Sequence, residues 1–275
     1  MNKTIIQVYK QNFSPENKDH DSNVGIGDCI RGTITLYKLS KIFGFNLIID
    51  FRHHPIGNYI DTKNLEYIDY IDNNIDNVKM FFWLNTLKEY ILNNDNNIIC
   101  VHTNAWYEEK DIYDTITINS LTEDEQNFMK YIFQPNDILN IKIKNELCNI
   151  SNDYNIIHFR LGDWNGLINQ TNIPDEELIK FEDIFNKYYE KNDILITDNI
   201  FFKNYIKSKY NVNTLNTEIG HLGHINDKNC IEGTLIDFFI QSKANKIKSY
   251  SFYCWISGFI HWNAKINNIP IELMN

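Results

Sequence analysis

Apolar residues along this chain alternate between a strand pattern and a helix pattern. Near the N-terminus "TIIQVYK" is a short β-branched run with no breaker, the mark of a strand. From Cys29 to about Phe43, Ile30, Ile34, Tyr37 and Leu39 recur as on a partly buried helix, which Gly44 ends. "FNLIIDF" follows as a second strand. Strand, loop, helix and strand form a βαβ unit, so the strands lie parallel with a right-handed crossover. Next, "VKMFFWLNTLKEYIL" predicts a helix, "NIICVHT" a strand, and "TEDEQNFMKYIF" a helix opened by a Thr122–Glu125 capping box. "FQPNDILNIKIKNELC" reads as a hinge and a further helix with Pro135 at its start. The remainder repeats the alternation: "YNIIHFR", "DILITD" and "KIKSYS" predict strands, while "PDEELIKFEDIFNKYYEK", "IFFKNYIKSKY", "IEGTLIDFFIQSKA" and "YCWISGFIHWNA" predict helices. Two successive α/β units joined near Pro135 predict two doubly wound sheets facing each other, with ligands beyond the carboxyl ends of the strands. We place the domains at 1–145 and 146–275.

Composition narrows the function classes. The 275 residues are 43% hydrophobic and 23% charged, ordinary for a folded soluble chain. Lys and Arg number 26 against 36 Asp and Glu, a net charge of −10. That balance excludes general nucleic-acid binding, which needs a basic surface. An anionic ligand would therefore need a pocket built locally from a few arginines and backbone N–H groups. The five cysteines are dispersed with no C-x-x-C pair, the pattern of reduced thiols rather than disulfides or zinc. "RHHP" and "HLGH" lack a partner carboxylate at recognised metal-site spacing, so no metal is expected. The start has no signal-peptide pattern, and no run reaches about 18 apolar residues. The expectation is a cytoplasmic protein without a membrane span. Trp255, Phe259 and Trp262 have roughly helical spacing and read as core.

Candidate chemistry gathers at strand exits. In "NIIHFRLGDWNG", alternation puts His158 and Arg160 on one face, and Gly162 breaks the run before Asp163. Arg160 and Asp163 could be a structural ion pair. The functional alternative is anion binding: a planar guanidinium fork matches a diphosphate, His158 adds a donor, and Asp163 anchors the arginine. "VGIGDCIRG" is not the G-x-G-x-x-G dinucleotide fingerprint. Gly25 and Gly27 either serve a tight turn or let backbone approach a ligand at a helix N-terminus. Asp28 reads as an N-cap or as a carboxylate facing the cleft. Asp198, in "ITDNIF", caps a helix or meets a ribose or base. Glu232, Thr234 and Asp237 lie near a predicted helix start, where Thr234 could meet a phosphate. Ser249 and Ser251 occupy a strand–helix junction of the same kind.

These residues together resemble a known set. "HFRLGD" is similar to the H-x-R-x-G-D motif of the fucosyltransferase superfamily, and "GIGDCIRGTITLYKLSKIFGFNLIID" to its N-terminal G-x-G-N loop, helix and strand. "FQPNDIL" resembles the Phe-x-Pro stretch before the second domain, and "SFYCWISGF" the S-x-F-S-W-W-A-A segment. The resemblance implies a GT-B fold, two Rossmann-like domains around a cleft, the first on the acceptor side and the second holding the donor. It implies GDP-fucose as donor, a glycan as acceptor, inversion, and neither metal nor cofactor. Arg160 would hold the diphosphate with His158 beside it, Asp163 would support the loop, Ser251 would meet phosphate or the helix junction, and Asp198 would lie near the nucleotide. Inversion also needs a base for the acceptor hydroxyl, and Asp28 is the candidate. The chain departs from the pattern at Asp28, Leu161, Cys254 and Ile256. Two alternatives stand beside this reading: a GT-B glycosyltransferase with another nucleotide-sugar donor, and a catalytically silent glycan- or nucleotide-binding module. The retained Arg160 speaks against the silent module.

Overall fold

Two all-parallel sheets carry the fold, seen in a computed structural model that describes residues 3–10, 25–106, 121–148, 150–162, 172–219, 227–253 and 255–275. Among them are nine strands and eight α-helices. The chain divides into two units between Asn136 and Asp137.

The first unit contains β1 (Thr4–Val8), α1 (Ile26–Phe43), β2 (Asn46–Asp50), β3 (Lys79–Phe81), α2 (Leu84–Asn93), β4 (Ile98–Thr103) and α3 (Glu123–Ile132). Its strands pair in the order β2-β1-β4-β3. Strand alternation explains the core. Ile5, Ile99 and Val101 join Leu36 and Leu39 of α1 and Leu84 and Leu87 of α2. Their neighbours Ile6, Val8, Ile48 and Cys100 bury against Ile71 and Val78 on the other face. A sheet buried on both faces is what parallel strands require. The Thr122–Glu125 capping box forms as expected, with the Thr122 N–H donating to Oε2 of Glu125 at 2.9 Å and the Glu125 N–H to Oγ1 of Thr122 at 3.3 Å. The segment read as one helix from Val78 divides instead. Met80 and Phe81 are buried in β3, and the Phe81 carbonyl accepts from Oγ1 of Thr103 at 2.9 Å, so pairing with β4 overrides helical spacing.

The second unit contains α4 (Asp137–Leu147), β5 (Asn155–Arg160), α5 (Asp175–Tyr188), β6 (Asp193–Thr197), α6 (Ile200–Lys209), β7 (Asn213–Thr214), α7 (Lys228–Gln241), β8 (Ile247–Ser251), α8 (Gly258–Asn267) and β9 (Ile271–Leu273). The order is β7-β6-β5-β8-β9. The chain winds outward from β5 through β6 to β7, then returns to β8 on the other side. That places a topological switch point between β5 and β8, where open parallel sheets form their ligand crevice. A boundary at 145 passes through α4, which begins two residues after Pro135 and lies wholly in the second unit. At the opposite end of the sheet, buried Lys248 donates to Asp193 and to the Tyr188 carbonyl, both at 2.9 Å, and pins β8 to β6.

Candidate functional site

The switch point of the second unit brings together five of the residues singled out above: His158, Arg160, Asp198, Ser249 and Ser251. Arg160 ends β5 directly opposite Ser251, which ends β8, and His158 stands opposite Ser249 in the same register. The two pairs lie on one face because they are two residues apart on each strand. Between them, Phe159 drops into the apolar core with Ile157 and Leu161. Tyr253 lies just beyond β8, its ring 5.7 Å from the Arg160 guanidinium and stacked on Trp255 at 4.8 Å. The Tyr253 N–H donates to Oγ of Ser251 at 3.2 Å.

The main anchor of the β5 exit comes from β6. Asp198 accepts hydrogen bonds from three consecutive residues: the Arg160 guanidinium through Nη1, the Leu161 N–H at 2.8 Å and the Gly162 N–H at 3.3 Å. Both ends of the ion pair are largely shielded, with side chains 13% and 14% exposed. Gly162 has φ 86°, a left-handed turn, and a Cβ there would lie 2.8 Å from the Tyr253 hydroxyl. Only glycine satisfies both demands.

The second expected donor, His158, sits deeper than Arg160. Its ring is buried and its Nδ1 is 3.2 Å from Oγ of Ser249. Burial depresses its pKa to about 4, a shift that the nearby Asp198 carboxylate opposes and Arg160 reinforces. At neutral pH the imidazole is therefore uncharged. Asp163 lies outside the described residues; among those described, Asp198 pairs with Arg160. Asp198 does not cap α6. Asn199 does, accepting from the Phe202 N–H at 2.9 Å. Thr234 is not at a helix start either. Asp227 caps α7, so Thr234 sits well inside the helix and donates its hydroxyl to the Cys230 carbonyl at 2.8 Å. Glu232 pairs with Lys142 at 2.5 Å, and Asp237 is buried, accepting from Oγ1 of Thr217 at 2.8 Å.

In the first unit, α1 begins at Ile26 with Gly25 as N-cap, earlier than its apolar periodicity indicates. Asp28 is consequently the third residue of the helix rather than its cap. It accepts from the Gly25 N–H at 3.4 Å and pairs with Arg31 at 3.0 Å. Gly27, in the first turn, is buried. Arg31, which sequence reasoning passed over, also donates to the Asn104 carbonyl beyond β4 at 2.6 Å. Below this turn are buried Cys29, Tyr9, Thr33 and His102. The His102 Nδ1 lies 2.8 Å from the Val8 carbonyl, which can only accept, so Nδ1 carries the proton and Nε2 faces Sγ of Cys29 at 3.9 Å. Burial holds the thiol well above its ordinary pKa, so the thiolate is disfavoured. Among the described residues, Glu218, Asp227 and Cys230 bring possible ligand atoms within 4.8 Å of one another. The first two are exposed and Cys230 half-buried.

No protein-family profile matches the chain, and no curated protein matches it by sequence. Solved structures do match it in fold. The α-1,6-fucosyltransferase NodZ soaked with GDP-fucose superposes with a TM-score of 0.57 at 13% identity, covering 98% of this chain and 94% of NodZ. A point mutant of Arabidopsis thaliana FUT1 in complex with GDP gives 0.58 at 10% identity, covering 98% and 70%. POFUT1 in complex with GDP-fucose gives 0.53 at 10% identity, covering 100% and 99%. The chain thus has a fucosyltransferase-like fold, the two-sheet α/β architecture of GT-B fucosyltransferases. No helix among the described residues is long and apolar enough to cross a membrane.

Proposed function

We propose that this protein is an inverting glycosyltransferase that moves fucose from GDP-fucose to a glycan hydroxyl. The observation that carries the reading is Arg160 at the switch point, opposite Ser251, in a chain whose fold follows fucosyltransferases over nearly its full length. NodZ and POFUT1 bind GDP-fucose and the FUT1 mutant binds GDP, so a guanosine donor is the first to test here. In the reaction the bond from the sugar's anomeric carbon to the β-phosphate oxygen breaks as the acceptor oxygen bonds to that carbon from the opposite face. The acceptor proton goes to a base and GDP leaves. Arg160 stabilises the charge that develops on the leaving diphosphate, an electrostatic contribution worth most in a site shielded from water. Asp28, on the first unit, is assigned as the base, and that unit as the acceptor side. The reading asks no metal to stabilise the leaving group.

One observation favours a second donor. Leu161 stands where the superfamily's motif commonly has a second arginine, and its side chain is fully buried in the core. A cation has no place there, so part of the usual donor recognition is missing. A panel of nucleotide sugars separates the two readings. GDP and GDP-fucose at about 100 times Kd should stabilise the protein by roughly 2.7 kcal/mol, read as a rise in melting temperature. Acceptor-dependent GDP release should persist in EDTA. Stabilisation by a uridine or thymidine donor and not by GDP-fucose would overturn the donor assignment. Nucleotide binding without release to any acceptor would favour the silent module.

A further inference from the structure

We propose that Asp198 is the positioning residue of the donor site, holding Arg160 and the β5 exit in the shape that receives a diphosphate. The inference rests on the donor reading above and adds the element that builds the site. Its support is geometric. Oδ1 of Asp198 accepts from the Leu161 N–H, and Oδ2 from both the Gly162 N–H and the Arg160 guanidinium. Both oxygens are thus turned onto protein donors, and those donors belong to three consecutive residues. A carboxylate that ties down one side chain and the next two amides fixes the direction of the guanidinium as well as its charge. The carboxylate is itself held firmly. It follows β6 directly, and its neighbour Asn199 is locked into the first turn of α6, accepting from the Phe202 N–H while its own N–H donates to Oγ1 of Thr197 at 3.2 Å. Asp198 is therefore not needed as a cap, and removing it leaves that helix start intact.

The arrangement also accounts for the left-handed Gly162, which turns its N–H back toward Asp198. Because Asp198 acts through Arg160, the two residues should be coupled, and a double-mutant cycle measures this directly. The probes are inorganic pyrophosphate and GDP on the full chain. Asp198→Asn should weaken both by roughly 10–100-fold, the range expected when a hydrogen bond to a charged group is lost. In an Arg160→Ala background the same substitution should change affinity by less than about twofold, since the group it positions is gone. An equal loss in both backgrounds would mean that Asp198 touches the nucleotide itself, and unchanged affinity in Asp198→Asn would mean that it does neither. Should Asp198→Asn fail to fold, Asp198→Glu keeps the charge but displaces it by a methylene. Weakened binding in that variant supports the proposal and full affinity overturns it. Wild-type binding of pyrophosphate without a preference for GDP would sink only the donor reading. No pyrophosphate binding by wild type would sink both.

Discussion

Asp28 shows how much a single position in a helix changes a residue's chemistry. As an N-cap its oxygen would be committed to backbone N–H groups. At the third position of α1 it is half-exposed, bonded to the Gly25 N–H and paired with Arg31. Asparagine at 28 keeps an acceptor oxygen for Gly25 but cannot take a proton. If Asp28 is the base, Asp28→Asn should fold, bind GDP with unchanged affinity and lose roughly 10²–10⁴-fold in turnover. Single-turnover transfer at saturating donor reads this directly, and a wild-type rate would remove Asp28 from the mechanism. Residue-level roles were the least legible part of the sequence. Arg160 stood out as a guanidinium beside an imidazole at a strand exit, a pattern that reads either as a structural ion pair or as an anion site. Its partner Asp198 was not legible, because a sequence shows local neighbours, whereas Asp198 arrives from the adjacent strand 38 residues on. The burial of His158 was not legible because alternation gives the face of a side chain and not its depth.

Elements fared better, and their failures have physical causes. The long strands were visible because a parallel strand buried on both faces must be almost continuously apolar. The edge strand β3 was absorbed into a helix because its three residues carry too little pattern to stand against the helical residues after it. The two-residue β7 and the three-residue β9 left no signal at all. Gly25 and Gly27, at the start of α1, read as tight-turn residues or as an opening for a ligand, but the glycine in closest contact lies further along the helix. A Cβ on Gly32 would sit 1.6 Å from the Thr103 carbonyl oxygen and 3.0 Å from the Asn104 Cα, both backbone atoms that cannot swing aside. Gly32 is what allows α1 to lie directly on the end of β4. Gly32→Ala should gain slightly in helix propensity yet destabilise the protein by about 1–3 kcal/mol or more, through overpacking. Chemical denaturation measures it, and a neutral or stabilising result would show that helix and strand are not in fixed contact.

At the level of the whole molecule, acid should be the weak direction. Burial lowers the pKa of His54 to about 3 and those of His102 and His158 to about 4, against about 6.5 in an unfolded chain. Below pH 6.5 the unfolded state binds protons that the folded state refuses, so the stability present above that pH drains away as pH falls through the folded values. At pH 4 each of the two histidines at about 4 should have cost about 3 kcal/mol. Asp237 works the other way. Burial raises its pKa to about 7, so its contribution is full below about pH 4 and lost as pH rises through 7. Three groups against one leave melting temperature climbing from pH 4 to 6.5. His54→Asn should flatten that climb, since an amide oxygen can replace the Nδ1 that accepts from the Ile56 N–H but cannot titrate. An unchanged acid limb in that variant would mean that His54 titrates normally. The topology of the second unit has a further consequence, in time rather than space. His158 and Ser249 face each other across one ladder yet are 91 residues apart in the chain, whereas Asp198 follows Arg160 by 38. At roughly 5–20 residues per second, a ribosome finishes β6 about 3–11 s before it finishes β8. The arginine's carboxylate is therefore already synthesised while the other wall of its site is still being made.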